Sequence, residues 1–228
     1  DSAFGPATGR SVVVATIADC LVENGVITRE WLVRDNHALV TQLGFDPHTV
    51  AQRAAAQPRS SEFTAWLDSE SERVRASDTL LPIAHAWDPE DPAAFARSAL
   101  ANAWQHGDAA AHARYYAPYA VLHESRPVAS GRDAIDGINS LHRRALANVA
   151  LSMDHLCVCS LGAGQFDIAA RWMLRGVHRA DWLGVPATGA EIMILGVTHW
   201  HVVAGRIAAE WTIFDRMAVL AQMYRARG

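Results

Sequence analysis

Cysteine is scarce in this chain: Cys20, Cys157 and Cys159 are all there is among 228 residues. An odd and sparse set gives no disulfide framework for a small secreted fold, and two cysteines two apart on a strand share a face and are badly placed to bond each other. No charged-then-apolar leader precedes them, so the expectation is buried, reduced thiols in a cytoplasmic protein. Also missing are any apolar run near the ~20 residues of a membrane helix and any Lys/Arg stripe interleaved with aromatics. The charges nearly cancel, with 20 Lys and Arg against 24 Asp and Glu, a net −4 and a pI near 6.3. Neither nucleic acid nor a membrane is expected as a partner.

What is present is an ordinary globular composition, 50% hydrophobic and 19% charged, and a repeat at a fixed distance. Pro6-Ala7-Thr8-Gly9 recurs as Pro186-Ala187-Thr188-Gly189. Gly25, Ile27, Glu30, Trp31, Asp35, Ala38 and Gln42 recur as Gly205, Ile207, Glu210, Trp211, Asp215, Ala218 and Gln222, every pair 180 positions apart with no insertion. The reading is a duplication in which residues 1–57 are the C-terminal part of a first copy, 58–90 a helical linker and 91–228 a complete second copy. Asp1 aligns with Asp181, deep inside the second copy, so most of the first copy is unrepresented and the chain is expected to be a fragment.

Residues 11–22 are β-rich, Glu23-Asn24-Gly25 is a hairpin turn signal, and Val26–Val33 is the return strand. Asp35 stands where a helix N-cap would, before Ala38, Leu39, Gln42 and Leu43 at helical spacing, with Gly44 as the stop. Residues 48–80 read as one or two helices broken at Pro58. The second copy opens on Asp91-Pro92, a cap followed by proline in the first turn, and is helical from Ala94 to Trp104. Asp108 caps a second helix through Tyr116, Tyr119–Glu124 is a short strand, and Gly131-Arg132-Asp133 leads into an amphipathic helix carrying Ile135, Ile138, Leu141, Ala145 and Leu146. Strands at ~149–160, ~165–178, ~190–203 and ~206–214 follow, then a helix from about Arg216 to Tyr224. Helices first and an antiparallel meander afterwards make an α+β pattern, with a pocket at the open end of a sheet wrapped around a helix.

Several blocks of the second copy carry a family resemblance. They are His106-Gly107-Asp108, Gly131-Arg132-Asp133-Ala134-Ile135, Arg171-Trp172, Gly176-Val177-His178 before Gly184-Val185-Pro186-Ala187-Thr188-Gly189, then Gly205-Arg206-Ile207-Ala208-Ala209-Glu210-Trp211 and Asp215. In this order they resemble the SnoaL-like polyketide cyclases of the nuclear transport factor 2-like superfamily. The resemblance implies a cone-shaped curved antiparallel sheet packed on N-terminal helices, the nuclear transport factor 2-like or cystatin-like fold. It also implies aldol-type ring closure on a hydrophobic, polyketide-like carbonyl compound without metal or cofactor, and sheets paired back to back in a homodimer or a two-copy pseudo-dimer. The chain departs from the pattern at Ala204-Gly205, where the family has Asp-Gly, at Arg179, where glycine is common, and at Gln222-Met223-Tyr224 in place of Gln-Leu-Gly.

Ring closure of this kind needs a base for an acidic C–H and an acid for the carbonyl oxygen, which one tuned carboxylate or imidazole can supply in turn. The resemblance implies Asp215 as that carboxylate and His201, on the preceding strand, as its assistant. A two-residue turn at Ala204-Gly205 would set His201 opposite Ala208, away from the face of Trp211 and Asp215; a bulge at Gly205 would set it opposite Ile207, on that face. The acid–base pair therefore requires a bulge. Asp215 can equally be a helix cap, like Asp35 in the first copy, where Leu21 stands in place of His201. His199 and His201 share a strand face, but with no third ligand at a suitable spacing no metal is expected. His178 is a substrate contact or a loop hydrogen bond, Arg171 a paired charge or a substrate clamp, and Trp172, Trp200 and Trp211 core or pocket wall suited to a flat apolar ligand. Two function classes stand: a cofactor-independent acid–base enzyme, with isomerase or hydrolase chemistry also open to the fold, and a non-catalytic small-molecule-binding or dimerisation module.

Overall fold

The computed structural model describes residues 7–77, 86–107, 109–124 and 128–228. The N-terminal portion is a hairpin, β1 (Thr16–Glu23) and β2 (Val26–Arg34), followed by α1 (Asn36–Gln42), α2 (Pro47–Ala56) and α3 (Ser61–Ser77). Then come α4 (Pro92–Trp104), α5 (Ala109–Tyr115), β3 (Tyr116–His123), β4 (Ala129–Ser130) and α6 (Arg132–Ala145). The long strands β5 (Leu146–Gly162), β6 (Gln165–His178), β7 (Glu191–Val203) and β8 (Arg206–Phe214) lead to α7 (Arg216–Arg225). The six-stranded sheet has the order β4-β3-β8-β7-β6-β5. Its β5–β8 part is the expected antiparallel meander, and β3 joins β8 in parallel. This is the α+β, nuclear transport factor 2-like architecture. Asp108, expected to cap the second helix, lies outside the described residues.

The two faces of the sheet are covered by different parts of the chain. The inner face, carrying Ile168, Ala170, Trp172, Leu174, Ile192, Ile194, Trp200, Val202, Ile207 and Phe214, closes the main core with Phe95, Ala99, Leu100 and Trp104 of α4 and Ile135 of α6. Gly196 lets Trp172 lie flat against β7, since a Cβ there would come 2.2 Å from the Trp172 ring. A Gly196→Ala variant is expected to be destabilised by about 1–3 kcal/mol through this overpacking, read as a lowered urea midpoint. On the outer face, Val74 of α3 packs against Met173, Met193 and Ala150, and Arg73 reaches Asp154 at 2.9 Å. Residues expected to form a linker thus form part of the sheet's cover. The thiols differ from expectation: Cys157 and Cys159 are exposed and Cys20 is half-buried. Cys157 and Cys159 sit opposite Ala169 and Asp167 on the outer face, where the β5–β6 hairpin runs beyond its covering elements.

The β1–β2 hairpin also lies on this outer face and repeats β7–β8 in detail. Both turns, Asn24-Gly25 and Ala204-Gly205, are two residues long with positive φ throughout. Both hairpins bulge at the same place: Val22 pairs with Ile27 but Leu21 with Arg29, and Val202 pairs with Ile207 but His201 with Ala209. The Gln42 amide is bonded both ways to the Val13 backbone and the Gln222 amide both ways to that of Met193. Asp35 and Asp215 cap the helices that follow. Where the two units meet, Val33, Val197 and Ile213 cluster with Ile17 and Leu195. Val33 and Ile213 are equivalents at the 180-residue offset, as are Ile17 and Val197, which is how residues near a two-fold axis meet. Asp19 holds Arg171 at 2.7 Å, and the Arg171 guanidinium lies 3.9 Å above the Trp31 ring.

A candidate active site on the inner face of the sheet

The polar side chains of the inner face form two buried knots. α6 turns Ile135, Asn139, His142 and Ala145 toward the sheet, positions spaced by three or four residues on one helical face. Leu141, expected on that face, is 50% exposed instead. The His142 imidazole is stacked on Trp104, with ring centroids 4.3 Å apart and planes 5° from parallel. Trp182 and Phe214 meet it edge-on at 5.8 and 6.0 Å. His142 Nε2 lies 3.3 Å from Glu124 Oε1, at the end of β3, and Nδ1 is buried with no hydrogen-bond partner. Arg216, the first residue of α7, donates from Nη2 to the same Glu124 oxygen at 2.7 Å and to the Glu124 backbone oxygen at 3.0 Å. Burial alone would push the Glu124 carboxyl up, but His142 and Arg216 beside it hold it down, to about 2.

The second knot centres on Glu210. Its Oε2 accepts from the Tyr116 hydroxyl at 2.5 Å and from Trp200 Nε1 at 3.0 Å, and its Oε1 accepts from Thr212 Oγ1 at 2.6 Å. Thr212 is bonded to Thr198, which accepts from Trp172 Nε1 at 3.0 Å. The chain of bonds crosses β6, β7, β8 and β3 beneath the helices. Burial pushes the Glu210 carboxyl and the Tyr116 hydroxyl up. His112 stacks on Tyr116 at 4.2 Å, and burial lowers its imidazole to about 4. The two buried carboxyls of this interior are thus pushed in opposite directions, Glu124 toward the anion and Glu210 toward the acid.

The residues singled out in the sequence are distributed differently. Asp215 caps α7, accepting from the Met217 and Ala218 amides at 2.9 and 3.2 Å, and takes a further 2.6 Å bond from Asn36 Nδ2. Burial raises its carboxyl from the ordinary range. An Asp215→Asn variant keeps the capping oxygen and is expected to lose no more than about 1 kcal/mol, whereas Asp215→Ala loses the cap, as urea titration of the two would show. His201 faces the side expected of a bulged hairpin, but through a two-residue turn and a bulge one step further in, and that side is the outer face. It bonds Asp167 at 2.8 Å. Its register partner Ala209 is six residues before Asp215, roughly 20 Å along the strand, so the two are not brought together. His199 and Trp211 pair on the outer face, with Trp211 41% exposed and stacked on His123. Arg171 is the outer-face clasp already described, where Asp19 and Asp154 flank it. His178 is buried, with Nδ1 3.0 Å from Thr188 Oγ1. Of the set, Trp200 and Trp172 reach the inner network, through Glu210 and Thr198. Among the described residues no group of His, Cys, Asp and Glu gathers as a metal centre would require.

A SnoaL-like polyketide cyclase family model matches residues 94–223, more than half of the chain. The chain belongs to that family. Solved structures agree on the fold. TsrD from Streptomyces laurentii is 17% identical with a TM-score of 0.52, covering 61% of this chain and 98% of its own. A protein of Jannaschia sp. CCS1 described as a SnoaL-like polyketide cyclase is 15% identical with a TM-score of 0.50, covering 62% of this chain and 98% of its own. One of Acidithiobacillus ferrooxidans described as a polyketide cyclase is 23% identical with a TM-score of 0.50, covering 61% and 99%. No curated protein matches. The SnoaL-like domain is therefore the part built from α4 to α7, and no helix among the described residues is long and apolar enough to cross a membrane.

Proposed function

We propose that the protein is a cofactor-independent acid–base enzyme of the cyclase type, closing a ring by intramolecular aldol chemistry on a hydrophobic, polyketide-like carbonyl compound, with His142 as the base. The observation that carries this reading is the buried His142 imidazole, oriented by Glu124 at one nitrogen and unpartnered at the other. With the proton on Nε2 shared with Glu124, Nδ1 presents a lone pair. It takes the acidic C–H proton; the enolate carbon attacks the second carbonyl carbon; the resulting alkoxide recovers the proton from Nδ1. The ionised Glu124 stabilises the imidazolium between these steps, as an orienting carboxylate does beside a catalytic histidine. Trp104, Trp182 and Phe214 supply flat apolar walls that keep water from the enolate.

In this proposal Asp215 is a cap and the outer-face histidines stand outside the chemistry. Residues 1–57 are the tail of a first copy, whose β1–β2 hairpin serves as a built-in partner on the outer face. The shared turn, bulge, glutamine bonds and caps support that origin. The cyclase reading is tested by deuterium wash-in at the methylene of an aryl β-ketoester in D₂O, followed by NMR. Protein-dependent exchange is expected across aromatic esters. If such esters quench tryptophan fluorescence on binding yet show no exchange above buffer, the protein is a binding module of the same fold.

A further inference from the structure

We infer that Asn139 is the hydrogen-bond donor that holds the developing enolate oxygen beside His142; this rests on the acid–base reading above. Asn139 and His142 are three residues apart on the buried face of α6, so their side chains leave the helix as neighbours, with Cβ atoms about 5–6 Å apart. That is the arrangement a C–H next to a carbonyl calls for: a base at the carbon and a donor at the oxygen. Asn139 is 3% exposed, and its Nδ2 makes no hydrogen bond. The amide stands beside the Tyr116 hydroxyl without closing a bond of normal geometry to it.

Five neighbouring side-chain donors of the interior are already committed. The Tyr116 hydroxyl, Trp200 Nε1 and Thr212 Oγ1 all serve Glu210, and Trp172 Nε1 serves Thr198. Arg216 serves Glu124. Among the described residues, a substrate carbonyl entering this interior therefore meets the uncommitted Asn139 amide one helical turn from the base. A buried N–H without an acceptor is unfavourable, and a ligand oxygen relieves it. The bond strengthens as the carbonyl oxygen gains charge, so it favours the enolate over the ketone, which is the requirement for catalysis rather than for binding alone.

The test uses Asn139→Leu, close in volume and without a donor, and Asn139→Ala, which leaves room for a water should the leucine not fold. Two readouts are taken. One is deuterium wash-in on an aryl β-ketoester. The other is binding of a cyano-substituted 2-naphthol, an enolate mimic whose neutral and ionised forms absorb at different wavelengths. Wild type should prefer the naphtholate. Asn139→Leu should lose about 10²–10³-fold in the exchange rate at saturation with KM little changed, the usual loss for one oxyanion donor, and its preference for the naphtholate should fall at least tenfold. His142→Phe should keep that preference while losing exchange, which separates the donor from the base. The assignment is overturned if folded Asn139→Leu and Asn139→Ala both retain the wild-type preference for the ionised naphthol. If instead His142→Phe exchanges at the wild-type rate while the Asn139 variants lose the naphtholate, the base is misassigned and the donor stands.

Discussion

Replacing His142 by phenylalanine is expected to slow proton exchange on an aryl β-ketoester by about 10²–10⁴-fold, the range that a positioned general base contributes. Phenylalanine keeps a flat ring against Trp104, whose stacking on His142 is within 5° of parallel, and it still offers an edge to Trp182 and Phe214. What it removes is both nitrogens. Glu124 retains Arg216 as its partner, so the fold should survive and the loss can be read as chemistry. Glu124→Gln should cost less than His142→Phe, because a glutamine oxygen can still hold the Nε2 proton but no longer balances the imidazolium. A folded His142→Phe that exchanges within twofold of wild type would remove His142 from the mechanism.

The fold was legible because it is written in local signals that survive in one sequence. Asp91-Pro92, Gly131, the two-residue turn at Ala204-Gly205 and the β-rich runs between residues 149 and 214 each dictate local geometry. The 180-residue repeat located the second hairpin and both capped helices. The local signals place the start of β3 at Tyr119, whereas the strand begins at Tyr116, with its pairing to β8 interrupted around Pro118 and resumed at Val121. The site was much less legible. The resemblance pointed to Asp215 and His201, but a strand's alternation does not say which face is the inside. His201 faces outward because the bulge at Ile207–Ala209 sets the phase of that end of the hairpin, and the β1–β2 unit, which belongs to the other end of the sequence, takes the outer face. The residues missed, Glu124, His142, Tyr116 and Asn139, lie on different elements and meet only when β3 and α6 fold together. One signal was present: His142 stands seven residues after Ile135 on an apolar helical stripe, a polar side chain where burial demands a partner.

The other large effect concerns the charge that keeps Glu124 buried. Arg216→Leu removes the guanidinium that donates to both the carboxylate and the backbone oxygen of Glu124. Glu124 is left nearly enclosed, its side chain 6% exposed, with His142 as its remaining charged or polar neighbour in the knot. Breaking one side of a buried pair typically costs about 3–5 kcal/mol, because the remaining charge keeps its desolvation penalty. For a chain of this size that lowers Tm by roughly 10 °C. The double variant Glu124→Gln, Arg216→Leu strands no charge and should recover most of the loss. The same knot predicts the acid limb of stability. Glu124 is held down to about 2 from an ordinary 4.5. A carboxyl depressed in the folded state contributes stability that is fully present above its unfolded value and is lost as pH falls toward its folded value. Between pH 5 and 2 this one group should withdraw about 3 kcal/mol. Other carboxyls are shifted as well: Arg175 and Ser71 lower Glu191 despite its partial burial, and burial raises Glu210 and Asp215. The decisive quantity is therefore the difference between wild type and Glu124→Gln, followed by urea unfolding at each pH. Wild type should converge on the variant as pH falls, the gap closing between pH 5 and 2. Parallel curves across that range, or an Arg216→Leu protein within 1 kcal/mol of wild type, would show that Glu124 is not held as an anion by this knot.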